Sequence, residues 1–317
     1  MSVVLGLLCL GQMHPLLLGL PTKKKRNWKE YNEELVRRGE LLFDPAFLSG
    51  WRDELESSNE GKEGARYRYP NSLMSMLAAI HVYLLPYRQL EGFVRVFAEH
   101  VELFKGVPDY STIWWRVARV KVDIDPSVDR TKDVTIAVDS TGIKVSNRGE
   151  WIRQKWAVKR GFVKFHVAVD VKTGRMLSVE VTNEEVPDGR MLQPLVRQAS
   201  SSAHVSGVMG DGAYDSRANF RYLHDARIEP VIKVRRNSSL RAMGCMPRKL
   251  VVEEQLSDYE GWRRKHHYGR RWRVESAISS FKSAFGEHVT SVKWRYMVNE
   301  LLLKASVYNM FLSAARP

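Results

Sequence analysis

Three acidic residues of the 317-residue chain stand where carboxylates do chemistry. Asp139, in AVDSTG, follows apolar residues at 134, 136 and 138. An unpaired charge in such a run is costly to bury, so something cationic should compensate it. Asp211, in GDGAYD, is flanked by Gly210, Gly212 and Ala213, small enough for a bulky ligand to approach the backbone. Glu275 lies among cations in YGRRWRVESAISSFK. Carboxylates from separate segments, with no Cys and little His nearby, suit a hard cation such as Mg²⁺. Two Mg²⁺ ions, or Mn²⁺ in their place, can activate an attacking oxygen and stabilise a leaving one in phosphodiester chemistry. Each acid also has a plainer reading. Asp139 could be a buried acid paired with Lys164 or another base, Asp211 a turn residue or cap, and Glu275 a helix-surface partner of Arg271.

The elements that would position these acids can be read from periodicity. DVTIAVDSTGIKV is a strand rich in β-branched residues, and FVKFHVAVDVKTGRMLSVEVT alternates into a hairpin turning at KTGR. A helix over DGRMLQPLVRQASS follows, then a short strand in VSGVMGDGAYDS that leaves Asp211 just past its end. RANFRYLHDAR reads as a helix and EPVIKV as a strand. Asp170 precedes the hairpin turn, and Asp215 reads as the N-cap of the next helix. Residues 235 to about 267 are basic with little periodicity. From 268 a helix would gather Tyr268, Arg271, Glu275 and Lys282 into a sector of roughly 60°. Val274, Ala277, Ile278, Phe281 and Phe285 would face the core beside it. Three antiparallel-compatible strands followed by alternating helix and strand predict an α/β fold, a ribonuclease-H-like mixed sheet flanked by helices. In such sheets ligands collect at strand ends.

The chain has no internal repeat, and its first half is of different texture. Residues 27 to 125 form a helical N-terminal region, with LMSMLAAIHVYLL, YRQLEGFVRVFAEHV and YSTIWWRVARVKV as three short helices. They suit either a DNA-binding module of helix-turn-helix type or a plain helical bundle. Residues 1 to 26 read as a disordered or loosely packed extension: Gly and Pro interrupt the apolar run, and no cation precedes it as in a signal peptide. Its KKKR is either a nucleic-acid patch or a solvated cluster.

Lys and Arg number 50 against 36 Asp and Glu, a net charge of +14 that favours a polyanionic partner. Twelve of those cations fall between Lys233 and Arg273 against four acids, a segment expected to lie along DNA or else to be a solvated loop. Trp262 and Trp272 would stack on bases or bury in the core. With only Cys9 and Cys245, a disulfide framework and a Cys-rich zinc site are excluded, and a reducing cytoplasmic home is expected.

AVDSTG, GDGAYD and YGRRWRVESAISSFK, in this order, resemble the DDE transposases of prokaryotic insertion sequences. The third fits the branch with a Tyr-x2-Arg-x3-Glu-x6-Lys signature without a gap. GEWIRQKW, GFVKFHVAVD, NELLLKASVYN, RQLEGFVRVF and PDYSTIWWRV also look like this branch, so the resemblance spans about residues 27 to 312. It implies a catalytic domain over 130 to 312 in which Asp139, Asp211 and Glu275 bind divalent metal, and in which Tyr268, Arg271 and Lys282 contact transposon-end DNA. It also implies binding to double-stranded transposon ends and target, cleavage and strand transfer, and a homodimer bringing two ends together. The short span between Asp211 and Glu275 leaves little room for the large β-rich insertion of some relatives, so whether the second strand is cut through a hairpin is left undecided. Two rival readings remain: a DNA-binding protein that kept the fold and lost catalysis, and a nuclease of the same fold.

Overall fold

The computed structural model describes residues 27–104, 106–120, 122, 124, 132–145, 161–241 and 243–314. The opening extension with its KKKR and the GEWIRQKW motif lie outside the described residues.

Alternation makes the sheet. In β1 (Asp133–Val145), Ile136 and Val138 are buried against one helical layer, while Ala137, Ile143 and Val145 are buried against the other. β2 (Phe162–Asp170) and β3 (Met176–Asn183) continue it antiparallel, joined by the expected tight turn. There Asp170 accepts the Lys172 and Thr173 amides at 2.9 and 3.1 Å. On the other side of β1, β4 (His204–Gly210) and β5 (Glu229–Ile232) run parallel to it, and β6 (His288–Val289) pairs with its far end. The order β3-β2-β1-β4-β5 is the ribonuclease-H-like arrangement expected from the sequence. Parallel neighbours at the centre require crossover helices, which cover the sheet faces.

Among the described residues five α-helices precede the sheet: α1 (Trp28–Leu42), α2 (Trp51–Asn59), α3 (Asn71–Tyr83), α4 (Tyr87–His100) and α5 (Tyr110–Val117). Trp51, Leu73, Leu77, Leu90 and Ile113 build their core. Arg116 of α5 is buried because its guanidinium finds partners: it donates to the Tyr69 carbonyl at 3.1 Å and Asn71 Oδ1 at 2.7 Å, and lies over the Tyr67 ring.

α6 (Leu192–Ser202) and α7 (Arg217–Asp225) pack on one sheet face. α10 (Trp272–Phe285) and α11 (Trp294–Ala314) pack on the other. Phe281 stacks on Phe165 of β2 with ring centroids 4.8 Å apart. α11 is buried on most sides: Leu301, Ala305 and Phe311 enter the sheet core, and Leu303 enters the N-terminal helical core. No helix among the described residues is long and apolar enough to cross a membrane.

Two expectations for residues 215 to 267 differ from the structure. The segment from 235 to 267 contains two helices, α8 (Met246–Ser257) and α9 (Tyr259–Lys265). Asp215 does not cap α7; the Ser216 hydroxyl does so, accepting the Asn219 amide at 3.2 Å. Asp215 is buried and forked by Arg248, with Nε–Oδ1 at 2.6 Å and a terminal nitrogen to Oδ2 at 2.9 Å. A partner 33 residues away outweighs the local capping preference.

Candidate active site

Asp139 lies opposite Val167 in the β1–β2 ladder, so its side chain points to the sheet face covered by α10 and α11. Its Oδ1 accepts the Ser140 amide at 2.8 Å, and its Oδ2 accepts from Arg271 at 3.3 Å. Arg271 also binds Glu275 Oε1, one turn along. One half-buried guanidinium therefore bridges two of the three expected carboxylates, although 132 residues separate Arg271 from Asp139. The base that pairs with Asp139 is Arg271, and Lys164 instead holds Asp188 at 3.0 Å.

Burial pushes the Asp139 carboxyl above the ordinary carboxylate range; Ser140 and Arg271 pull it down, and the nearby charge of Asp211 raises it again. Asp211 follows β4 directly. Its Oδ1 accepts the Ala213 amide at 2.8 Å and its carbonyl accepts the Tyr214 amide at 3.1 Å, so it is a turn residue as well as a candidate ligand. Asp139 and Glu275 share one bridging arginine, and Asp211 acts on Asp139 and Arg271 through its charge. That leaves a surplus of negative charge, and the donors are all hard oxygens. The set fits a divalent cation in charge and kind. Among the described residues no three or more such side chains already form a metal-ligand cluster, and Arg271 stands between Asp139 and Glu275.

A cleft of about 490 Å³ is lined by Asp139, Glu275, Lys282 and Glu287 with Ser140 and Thr141, and Asp211 is not among its lining residues. Lys282 is half-buried at its edge, two turns along α10 from Glu275. The expected continuous helix from Tyr268 is broken: residues Tyr268–Arg271 form a 3₁₀ turn, entered through a left-handed His267 (φ 50°), and α10 begins at Trp272. Tyr268 is buried, and its hydroxyl donates to the Gly210 carbonyl at 3.2 Å. The Lys233 amide donates to the same oxygen at 3.0 Å. Both lone pairs of that carbonyl are thus used, fixing the strand end that carries Asp211. Trp262 is buried beside Tyr268, and Trp272 is 53% exposed.

A packed contact behind Asp211 escaped the sequence reading. The Asn219 side-chain amide donates to the Gly189 and Tyr214 carbonyls at 2.9 and 3.0 Å, clamping the turn before α6 onto the Asp211 loop. A Cβ on Gly189 would meet the Ala213 carbonyl oxygen at 2.6 Å. Gly189→Ala is therefore expected to cost about 1–3 kcal/mol, read as a lower denaturation midpoint with an unchanged slope. His166, fully buried nearby, is pushed down to about 4 by burial and stays neutral, with Nε2 against the Thr182 hydroxyl at 2.8 Å.

The geometry has a counterpart in known sequences. Residues 130–310 match a family model described as a transposase DDE domain, and residues 36–148 match a second model with the same description. The first match alone covers more than half of the chain, which therefore belongs to the DDE transposase family. Solved structures also match, among them three transposase complexes. One is a piggyBac transposase synaptic complex with hairpin DNA, 10% identical, with a TM-score of 0.38 over 90% of this chain and 76% of that one. Another is the Drosophila P element transposase strand transfer complex, 12% identical, TM-score 0.30, over 58% and 41%. The third is a Mos1 transposase paired-end complex with left transposon end, 13% identical, TM-score 0.23, over 68% and 81%.

Proposed function

We propose that this transposase cuts double-stranded DNA at the ends of an insertion sequence and joins the freed 3′-hydroxyls to target DNA. Asp139, Asp211 and Glu275 would hold Mg²⁺, two ions in the full site. The observation that carries this reading is the linkage of Asp139 and Glu275 through Arg271 beside one cleft, with the charge of Asp211 acting on Asp139. Divalent metal, when bound, supplies Lewis acidity to a phosphoryl oxygen and acidifies an attacking water.

The chain's own residues do the rest. Arg271 is charged and can fork onto phosphate oxygens once DNA competes for it. Lys282, at the cleft edge, offers a point charge to the same strand. Tyr268 acts by holding the Gly210 carbonyl, a positioning role that its burial supports in place of direct DNA contact. The helical region over 27 to 125 would grip DNA away from the cleft; exposed Tyr110, Trp114 and Trp115, with Arg119 lying over Trp115 at 3.9 Å, support that part. Two ends must meet for strand transfer, so the working form would be a homodimer.

Duplexes carrying the element's own ends, incubated with Mg²⁺, test the reading. Cut and joined products are expected. Cutting with no joined product would leave a nuclease of this fold, and intact binding with no cutting in any divalent metal would leave a DNA-binding protein.

A further inference from the structure

A second concavity, of about 350 Å³, shares no lining residue with the carboxylate cleft. It sits where the Asp211 loop runs into α7, and Arg217, Arg235, Arg241 and Arg248 surround it. Asp215 is the one acid in its wall, and that charge is already spent. Burial alone would raise the Asp215 carboxyl, yet the Arg248 fork, the Arg235 amide and the Ser238 hydroxyl hold it below the ordinary value. Asp215 and Arg248 thus cancel and stiffen the floor.

Three guanidiniums remain. Arg235 uses Nε on the Gly212 carbonyl at 3.0 Å, and its terminal nitrogens have no partner among the described residues. Arg241 has no side-chain partner among them, and Arg217 meets only the weak acceptor sulfur of Met243, at 2.8 Å. Ser216, Ser239 and Asn237 add neutral polar groups, and among the described residues no aromatic or aliphatic side chain lines the space. Such a wall can bind an anion through charge and forked hydrogen bonds, but it offers a base nothing to stack on.

We propose that this concavity holds one phosphodiester of a DNA backbone, reading charge and shape rather than sequence. The assignment rests on DNA being the substrate, as argued above. It gives the basic run from Lys233 to Arg273 a defined contact point. Because Arg235 is tied to Gly212, a phosphate bound there would also brace the loop next to Asp211.

The test is the affinity of the full chain for labelled duplex in EDTA over a range of salt, so that no metal at the carboxylate site takes part. Arg217→Gln with Arg241→Gln is expected to weaken binding about ten-fold and to lower the slope of log affinity on log salt by about one, the loss of a single phosphate contact. Arg217→Lys with Arg241→Lys should recover most of that slope. Lys172→Gln with Arg227→Gln, exposed cations elsewhere, should leave it unchanged. An unaltered slope in the Gln pair, or an equal fall in the control pair, overturns the niche. Inorganic phosphate bound by the wild type and lost in the Gln pair, with DNA affinity untouched, would make it a small-anion site and overturn the DNA assignment. A wild type with no salt-dependent DNA binding would instead remove the functional reading beneath it.

Discussion

Asp139→Asn is expected to lower the rate of single-turnover cleavage by more than about 100-fold while leaving the fold intact. Loss of a partner that only orients a metal ligand typically costs 10- to 100-fold, and a ligand should cost more. Stability should move little, and if anything upward. The Asp139 charge is disfavoured by burial and by Asp211, and Arg271 keeps Glu275 when Asp139 is neutral. Activity and stability should therefore separate. Thermal unfolding run beside the cleavage assay checks this; a variant that melts early and retains its specific activity would show Asp139 to be a structural acid.

Glu300→Gln is expected to be the costliest single change for stability, about 3–5 kcal/mol. Glu300 and Lys304 are paired at 2.9 Å with only 6% and 5% of their side chains exposed. The carboxylate also accepts the Thr290 and Ser291 amides, at 3.0 and 2.9 Å, and Lys304 donates to the His288 carbonyl at 2.9 Å. This cluster ties α11 to β6, which in turn pairs with β1 at Lys144 and Val145. Neutralising Glu300 leaves a buried ammonium without its counter-charge. Burial alone would raise the Glu300 carboxyl, but Lys304 and the amides hold it below its ordinary value of 4.5. Its contribution is then complete above about pH 4.5 and is lost as pH falls through the lower folded-state pKa. The acid limb of the stability curve should be flatter in Glu300→Gln, a difference visible in urea titrations at descending pH.

How much of this was legible depended on whether the signal was local. β1, β2 and β3 show themselves because apolar and polar residue types alternate along each sequence, even though helices cover both faces of the sheet, and the turn at KTGR punctuates them. The buried set Val274, Ala277, Phe281 and Phe285 repeats at helical spacing, so the core face of α10 could be assigned before its start could. α8 was hidden for a physical reason. Its buried positions include Gln255, which bonds the Ile232 carbonyl and the Val234 amide, while Leu250 and Leu256 are exposed. Apolar residues outside and a polar one inside erase the period. Long-range pairs were equally invisible. Glu275 with Arg271 lies within helical reach, but nothing in the chain announces that Arg271 also reaches Asp139, that Arg248 reaches Asp215, or that Gly189 must be small to fit against Ala213. Tyr268 carried a family expectation of DNA contact, and its hydroxyl is turned instead to the backbone at Gly210.

Asp139, Asp211 and Glu275 should all serve one shared divalent-metal centre, reached when Arg271 yields to DNA. Paramagnetic resonance of Mn²⁺ on the protein bound to its end duplex measures that directly. Asp139→Asn, Asp211→Asn and Glu275→Gln should each weaken Mn²⁺ binding at least about ten-fold, with DNA affinity in EDTA preserved. Undiminished Mn²⁺ binding in any one of the three would contradict it.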